Sequence, residues 1–123
     1  MEMKAVLDTN ILIDYLSGYK EAEKEISLYR EPAISIISWM EVWVGVDKEE
    51  EPIIQSFLSS FEIVQVSLEI AEEAIALRKK FKLKLPDAII WASATHKGLT
   101  LVTRNTKDFK ASFPGIRIPY SLK

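Results

Sequence analysis

The sequence contains no cysteine. That removes disulfides, thiolate-bound zinc, iron–sulfur clusters and cysteine nucleophiles together, and it suits a reducing cytoplasm. Histidine is nearly absent too, with His96 alone. It lies ahead of Gly98 near an expected helix C-terminus, where an imidazolium would meet the helix dipole favourably, so it is not read as a catalytic base. No uninterrupted run of about 18–20 apolar residues is present to span a bilayer. Met1-Glu2-Met3-Lys4 opens without the apolar stretch of a signal peptide, so the expectation is a cytoplasmic protein with no membrane segment. Repeats, linkers and low-complexity segments are also missing. The 123 residues are expected to form a single domain, 1–123.

The chain is 48% hydrophobic and 28% charged, the balance of an ordinary globular protein that folds unaided. Its net charge of −2 provides no general positive surface for nucleic acid. The charges are segregated, however. Residues 47–51 form an acidic run, Arg78, Lys79, Lys80, Lys82 and Lys84 lie together, and Arg104, Lys107 and Lys110 follow, so a local basic rim is available.

Hydrophobic periodicity sets out alternating strands and helices. Residues 4–8 read as a short buried strand, and Ile11, Leu12, Tyr15 and Leu16 then recur at helical spacing until Ser17-Gly18. A charged amphipathic helix is expected over 19–30, ended by Pro32, and a second strand over 33–37. Ser38 is expected to cap a helix over 39–46. A helix over 53–60 and a strand over 63–66 come next. Ile70, Ala74, Leu77 and Phe81 mark a helix of about four turns. Pro86-Asp87 opens a helix whose body, 88–94, is apolar nearly all round and therefore buried, with Gly98 at its end. Strands over 99–103 and 116–118 complete the pattern. The fold class is α/β: a central parallel sheet of four or five strands flanked by helices, in three layers.

Sites in open parallel sheets form beyond the carboxyl ends of the strands. Asp8 closes the first strand, Glu41 follows the second, Asp87 opens the buried helix, and Asn105 with Asp108 follows the fourth strand. Each also has a local reading. Asp8 can cap a helix, Glu41 can complete a capping box with Ser38, Asp87 can face a helix dipole, and Asn105 and Asp108 are common turn residues. Independent caps have no reason to gather at one rim, and gathered carboxylates repel unless a cation neutralises them. An all-oxygen set suits Mg²⁺ or Mn²⁺, which bind phosphates, activate water and stabilise charge on a phosphodiester under attack. A phosphatase or receiver domain would use Asp8 as phosphoryl acceptor. The phosphatase pattern wants a second aspartate where Asn10 stands, and a receiver gives no role to Glu41 or Asp87.

Four ordered segments carry a family resemblance. They are Leu7-Asp8-Thr9-Asn10 with Ile11-Leu12-Ile13-Asp14, Trp39-Met40-Glu41-Val42, Leu85-Pro86-Asp87-Ala88-Ile89-Ile90, and Leu101-Val102-Thr103-Arg104-Asn105-Thr106-Lys107-Asp108-Phe109. Together they resemble the signatures of the PIN domain in its VapC-like branch. The resemblance implies a Mg²⁺-dependent endoribonuclease that cleaves single-stranded RNA with metal-activated water, leaving a 5′-phosphate and a 3′-hydroxyl. It implies that Asp8, Glu41 and Asp87 hold one or two Mg²⁺ or Mn²⁺ ions. Asn105 stands where many members carry an acid, so Asp108 is a further candidate ligand, or Asn105 ligates through its amide oxygen. Thr9, Asn10 and Thr103 match site-shaping positions, and Arg78, Lys82 and Arg104 are candidate RNA contacts.

The resemblance further implies the toxin of a type II toxin–antitoxin pair, a homodimer inhibited by a cognate antitoxin that lays a helix or extended tail beside the site. The first helices are the expected docking surface. Trp39, Trp43 and Trp91, amid apolar helical neighbours, read as core or subunit interface. A reading from another class keeps the fold as an RNA-binding or protein-interaction module that turns over weakly because of Asn105.

Overall fold

Five short strands are all that a computed structural model of the chain, which describes residues 4–122, builds its sheet from. Met1 to Met3, where the expected absence of a leader falls, and Lys123 lie outside the described residues. The strands are β1 Ala5–Leu7, β2 Ala33–Ser35, β3 Glu62–Val64, β4 Thr100–Val102 and β5 Ile116–Arg117. Every pairing is parallel, in the order β3-β2-β1-β4-β5. Helices cover both faces of such a sheet, which is why β1, β2 and β4 lack the polar alternation of a half-exposed strand.

The helices are α1 Thr9–Leu16, α2 Lys20–Ser27, α3 Ile36–Val44, α4 Glu51–Leu58, α5 Leu68–Phe81 and α6 Leu85–His96, with a 3₁₀ turn at Lys48–Glu50. Successive strand residues point to opposite faces, so each strand feeds two apolar layers. Val6, Ala33 and Leu101 pack with α5 and α6 through Ile70, Ala74 and Trp91. Leu7, Ile34 and Val102 pack with Ile11, Leu12, Val42, Ile54 and Leu58. Three layers and a five-stranded parallel sheet are as the sequence pattern requires. Helix α6 is buried along Ala88 and Ile90–Ala94, and Trp91 stacks on Phe113 at 5.6 Å with Phe81 and Phe109 against it. Trp39 and Trp43 meet edge to face at 6.0 Å against the other layer. Among the described residues no helix is long and apolar enough to cross a membrane.

The β2–α3 boundary differs from expectation. The strand stops at Ser35, not at 37, and Ser35 is the N-cap, its hydroxyl accepting the Ile37 N–H at 3.1 Å. Both serines can cap. The choice falls on Ser35 because Ile37 packs on the α5–α6 layer as a helical residue. Ser38 then lies buried in the first turn, and the expected capping box with Glu41 does not form. A capping box forms instead between Asp47 and Glu50. Other shifts are smaller. Helix α2 ends at Ser27, well before Pro32, and α4 starts at Glu51 with Pro52 in its first turn. Helix α5 begins under the cap of Ser67, whose hydroxyl accepts the Ile70 N–H at 3.2 Å.

Ser35→Ala leaves the Ile37 N–H without its partner, so urea unfolding is expected to show a loss of about 1 kcal/mol, within the 0.5–2 kcal/mol range of lost caps. An unchanged midpoint would remove Ser35 from the capping role.

Candidate active site

Because all strands run the same way, the segments following β1, β2 and β4 emerge at one edge of the sheet. Asp8 leaves β1 there with its N–H bonded to Val102 O at 2.9 Å. Only 4% of its surface is exposed. Its Oδ1 accepts the Thr9 N–H at 2.7 Å, and its Oδ2 accepts from Thr103 Oγ1 at 2.7 Å and Asn10 Nδ2 at 3.1 Å. Thr103 Oγ1 in turn accepts from Asn10 Nδ2 at 3.2 Å and from the Asn105 N–H at 3.0 Å. With both lone pairs in use, the Thr103 proton is left for Asp8. Burial pushes the Asp8 carboxyl above its ordinary range, the Thr103 and Thr9 hydrogen bonds oppose the rise, and the Glu41 charge adds to it. Asp8 is therefore both the N-cap of α1 and a carboxylate held facing the strand ends.

Glu41 projects from α3 and is exposed. Its Oε1 accepts from Thr9 Oγ1 at 2.6 Å, and Thr9 Oγ1 lies 2.8 Å from Ser38 Oγ. A hydroxyl has one proton and a carboxylate can only accept, so Thr9 directs its proton to Glu41 and Ser38 supplies the other. Glu41 is thus tied across to α1, not back to its own helix as the capping box required. Asp87, the third residue of α6, has its carboxyl pushed up to about 6. Burial is the main cause, followed by the charges of Asp8 and Asp108 and, more weakly, Glu41; Lys84 pulls the other way. Those influences put four acids in one electrostatic neighbourhood.

Asn105 serves the turn. Its amide oxygen accepts the N–H groups of Lys107 and Asp108, each at 3.1 Å, and its Nδ2 donates to Asp108 Oδ2 at 2.8 Å. The oxygen expected as a ligand is committed to backbone, so Asn105 orients Asp108. Arg104 is likewise committed. Its Nε and Nη2 donate to Asp14 at 2.6 and 2.9 Å, which leaves it a poor match for the free cation expected at an RNA contact. Arg78 and Lys82 are exposed at the end of α5, where Lys82 takes the left-handed conformation that closes the helix. Tyr120 was not singled out by pattern, Ser38 was read only as a cap, and Asp14 closed the first of the four family-like segments with no role read for it.

Among the described residues no three His, Asp or Glu side chains form a preformed metal cage. The carboxylate oxygens of Asp8, Glu41 and Asp87 are the donor chemistry taken by Mg²⁺, which keeps several waters and uses one or two carboxylates plus substrate phosphates. They do not fit structural zinc, which needs a closed set of sulfur and nitrogen ligands.

Asp87 gives a sign that can be checked. Folding raises its pKa, so its contribution to stability is full below about 3.8 and is lost as the pH rises through about 6. Asp87→Asn removes that loss. Metal-free Asp87→Asn is expected to melt at or above wild type well above pH 6, with the gap closing on acidification. A lower melting temperature for the variant would mean that the charge serves the helix dipole instead.

The PIN domain family model matches residues 5–112. No curated protein matches. Among solved structures, a chain of a toxin–antitoxin complex from Klebsiella pneumoniae is 50% identical with a TM-score of 0.91, over 96% of this chain and 99% of that one. A chain of VapBC2 from Rickettsia felis, bound to a DNA fragment from their promoter, is 29% identical with a TM-score of 0.75, over 93% and 96%. FitAcB from Neisseria gonorrhoeae, at 22% identity, shares the fold with a TM-score of 0.80 over 96% and 99%. Strand order, the four ordered motifs, a family match over most of the length and a half-identical relative agree: this chain belongs to the PIN-domain family.

Proposed function

We propose that this PIN domain is a Mg²⁺-dependent endoribonuclease acting on single-stranded RNA, and the toxin of a type II toxin–antitoxin pair. The gathering of Asp8, Glu41, Asp87 and Asp108 at one sheet edge, with no histidine or cysteine among them, carries the reading. Four acids there are short of positive charge. A bound Mg²⁺ or Mn²⁺ ion supplies that charge, holds a phosphate and activates water for attack on phosphorus. Asp8, Glu41 and Asp87 would hold it, with Asp108 beside them. Thr103, Thr9 and Asn10 donate to Asp8 and favour its charged form against burial, and Thr9 holds Glu41. Arg78 and Lys82, on the basic end of α5, would meet RNA phosphates as the strand approaches. Hydrolysis would leave a 5′-phosphate and a 3′-hydroxyl. The phosphatase and receiver readings lapse with membership of the PIN family.

An antitoxin partner is supported by the surface between α1 and α4, whose apolar groove suits a docked helix or tail. Tyr15 and Phe57 stack at 4.7 Å there, in a groove completed by Leu16, Pro52, Ile53 and Ser56. A neighbouring groove, lined by Ile13, Val42 and Ile54, runs on to Glu41. An apolar helix or tail seated along both would end beside the acids. The similarity to a chain of the Klebsiella toxin–antitoxin complex supports this, and a cytoplasmic homodimer completes the proposal. The turn-bound oxygen of Asn105 favours one competing reading, a PIN-fold RNA-binding or protein-interaction module with weak turnover.

Purified protein incubated with generic single-stranded RNA separates the two: cleavage with Mg²⁺ that stops with EDTA is expected, and binding without cleavage supports the module. Glu41→Gln sharpens the test, since glutamine keeps an oxygen for Thr9 but loses the charge a cation needs. The variant is expected to melt as wild type while losing more activity than the roughly 10–100-fold typical of a ligand's supporting neighbour. Full activity in Glu41→Gln would remove the metal role of this side chain.

A further inference from the structure

Asp14, in the last turns of α1, is 3% exposed. Its Oδ2 accepts from Arg104 Nε at 2.6 Å and Tyr120 Oη at 2.9 Å, and its Oδ1 accepts from Arg104 Nη2 at 2.9 Å. A planar fork against a carboxylate fixes orientation as well as distance, which a lysine ammonium does not. Arg104 therefore has its side chain anchored on α1, at a carboxylate that Tyr120 of the C-terminal tail also reaches. Its own backbone N–H donates to Asn10 Oδ1 at 3.0 Å. That contact settles which end of the Asn10 amide is oxygen, so the NH₂ end faces Asp8 Oδ2 and Thr103 Oγ1. The path from Tyr120 to Asp8 is thus an unbroken series of hydrogen bonds: tail hydroxyl, Asp14, Arg104, Asn10, Asp8.

From this geometry we propose that Asp14, Arg104 and Tyr120 are positioning residues that set the direction of the Asp8 carboxylate through Asn10, making the C-terminal tail part of the site. The inference rests on Asp8 being a metal-holding group, as proposed above. A second cluster of the same chemistry provides the contrast. Glu25, also buried, takes Arg117 at 2.7 and 3.0 Å together with the Tyr29 hydroxyl, and it fastens β5 to α2. Its side-chain hydrogen bonds end on Arg117 and Tyr29. Fastening is all that Glu25 does, whereas the Asp14 cluster is joined to Asp8 by the Arg104 backbone.

Tyr120→Phe, which removes one oxygen, and Arg104→Lys, which keeps the charge and removes the fork, test this, with Tyr29→Phe as control. In ¹⁵N-labelled, metal-free protein the side-chain NH₂ signals of Asn10 are expected to shift and exchange faster in the first two variants and to stay unchanged in the control. Titration with Mn²⁺ alone is expected to give a dissociation constant raised about tenfold or more, and RNA cleavage a kcat lowered by a similar factor at unchanged KM. Unchanged Asn10 signals in both variants, with only a lower melting temperature, would overturn the proposal and leave the triad a clamp. A raised KM with unchanged Mn²⁺ affinity would overturn it too, and would make Arg104 an RNA contact. If wild-type protein neither binds Mn²⁺ nor cuts RNA, the nuclease reading fails, and the Asn10 signals alone decide the positioning role.

Discussion

Asp8 sits at the carboxyl end of the central strand, where water reaches little of it, and the hydrogen bonds from Thr103, Thr9 and Asn10 do not fully offset that burial. Its carboxyl stays above the ordinary range, and Asp87 nearby is raised to about 6 partly by the charge of Asp8. A cluster in this condition carries unbalanced negative charge whenever its carboxyls are ionised. Hydrogen-bond donors orient the carboxylates, and their mutual repulsion is relieved either by protonation, which the raised pKa of Asp87 reflects, or by a bound cation. The surrounding polar groups therefore act as supports for a charge deficit, and the rest of the site is arranged around it.

The sheet makes the deficit possible. A parallel order with β1 in the middle brings the ends of β2 and β4 to either side of Asp8, so α3 delivers Glu41 from one flank and the turn after β4 delivers Thr103 and Asp108 from the other. Buried α6 then sets Asp87 across from them. The apolar layers hold these elements rigidly: Trp91, fully buried, sits four residues beyond Asp87 on the same helix and is packed among Phe81, Phe109 and Phe113. Short strands suffice because each is clamped from both faces, and β5, the shortest, is also tied to α2 through Arg117 and Glu25.

Regular features were legible in the sequence where one residue type admits one explanation. An all-round apolar segment such as 88–94 has nowhere to go but the interior, and strands alternating with helices leave a parallel sheet as the natural architecture. Boundaries were less legible because two serines three residues apart, Ser35 and Ser38, both suit an N-cap, and only packing of Ile37 separates them. Long-range polar pairings were not legible at all. Arg104 looked like a cation offered to RNA because nothing local shows that Asp14 lies opposite it, 90 residues away in sequence, with Tyr120 from the tail completing the contact. Asn105 presented the same difficulty, since turn-building and metal ligation ask for the same amide oxygen.

The central claim is that the acids at the end of β1 share a cation. Anomalous diffraction from crystals soaked in Mn²⁺ at a pH well above 6 tests it most directly, because it needs neither RNA nor an antitoxin. The account predicts a peak beside Asp8, within reach of Glu41 and Asp87 directly or through water. A map with no peak there, or with Mn²⁺ only on the exposed acidic run at residues 47–51, would contradict it.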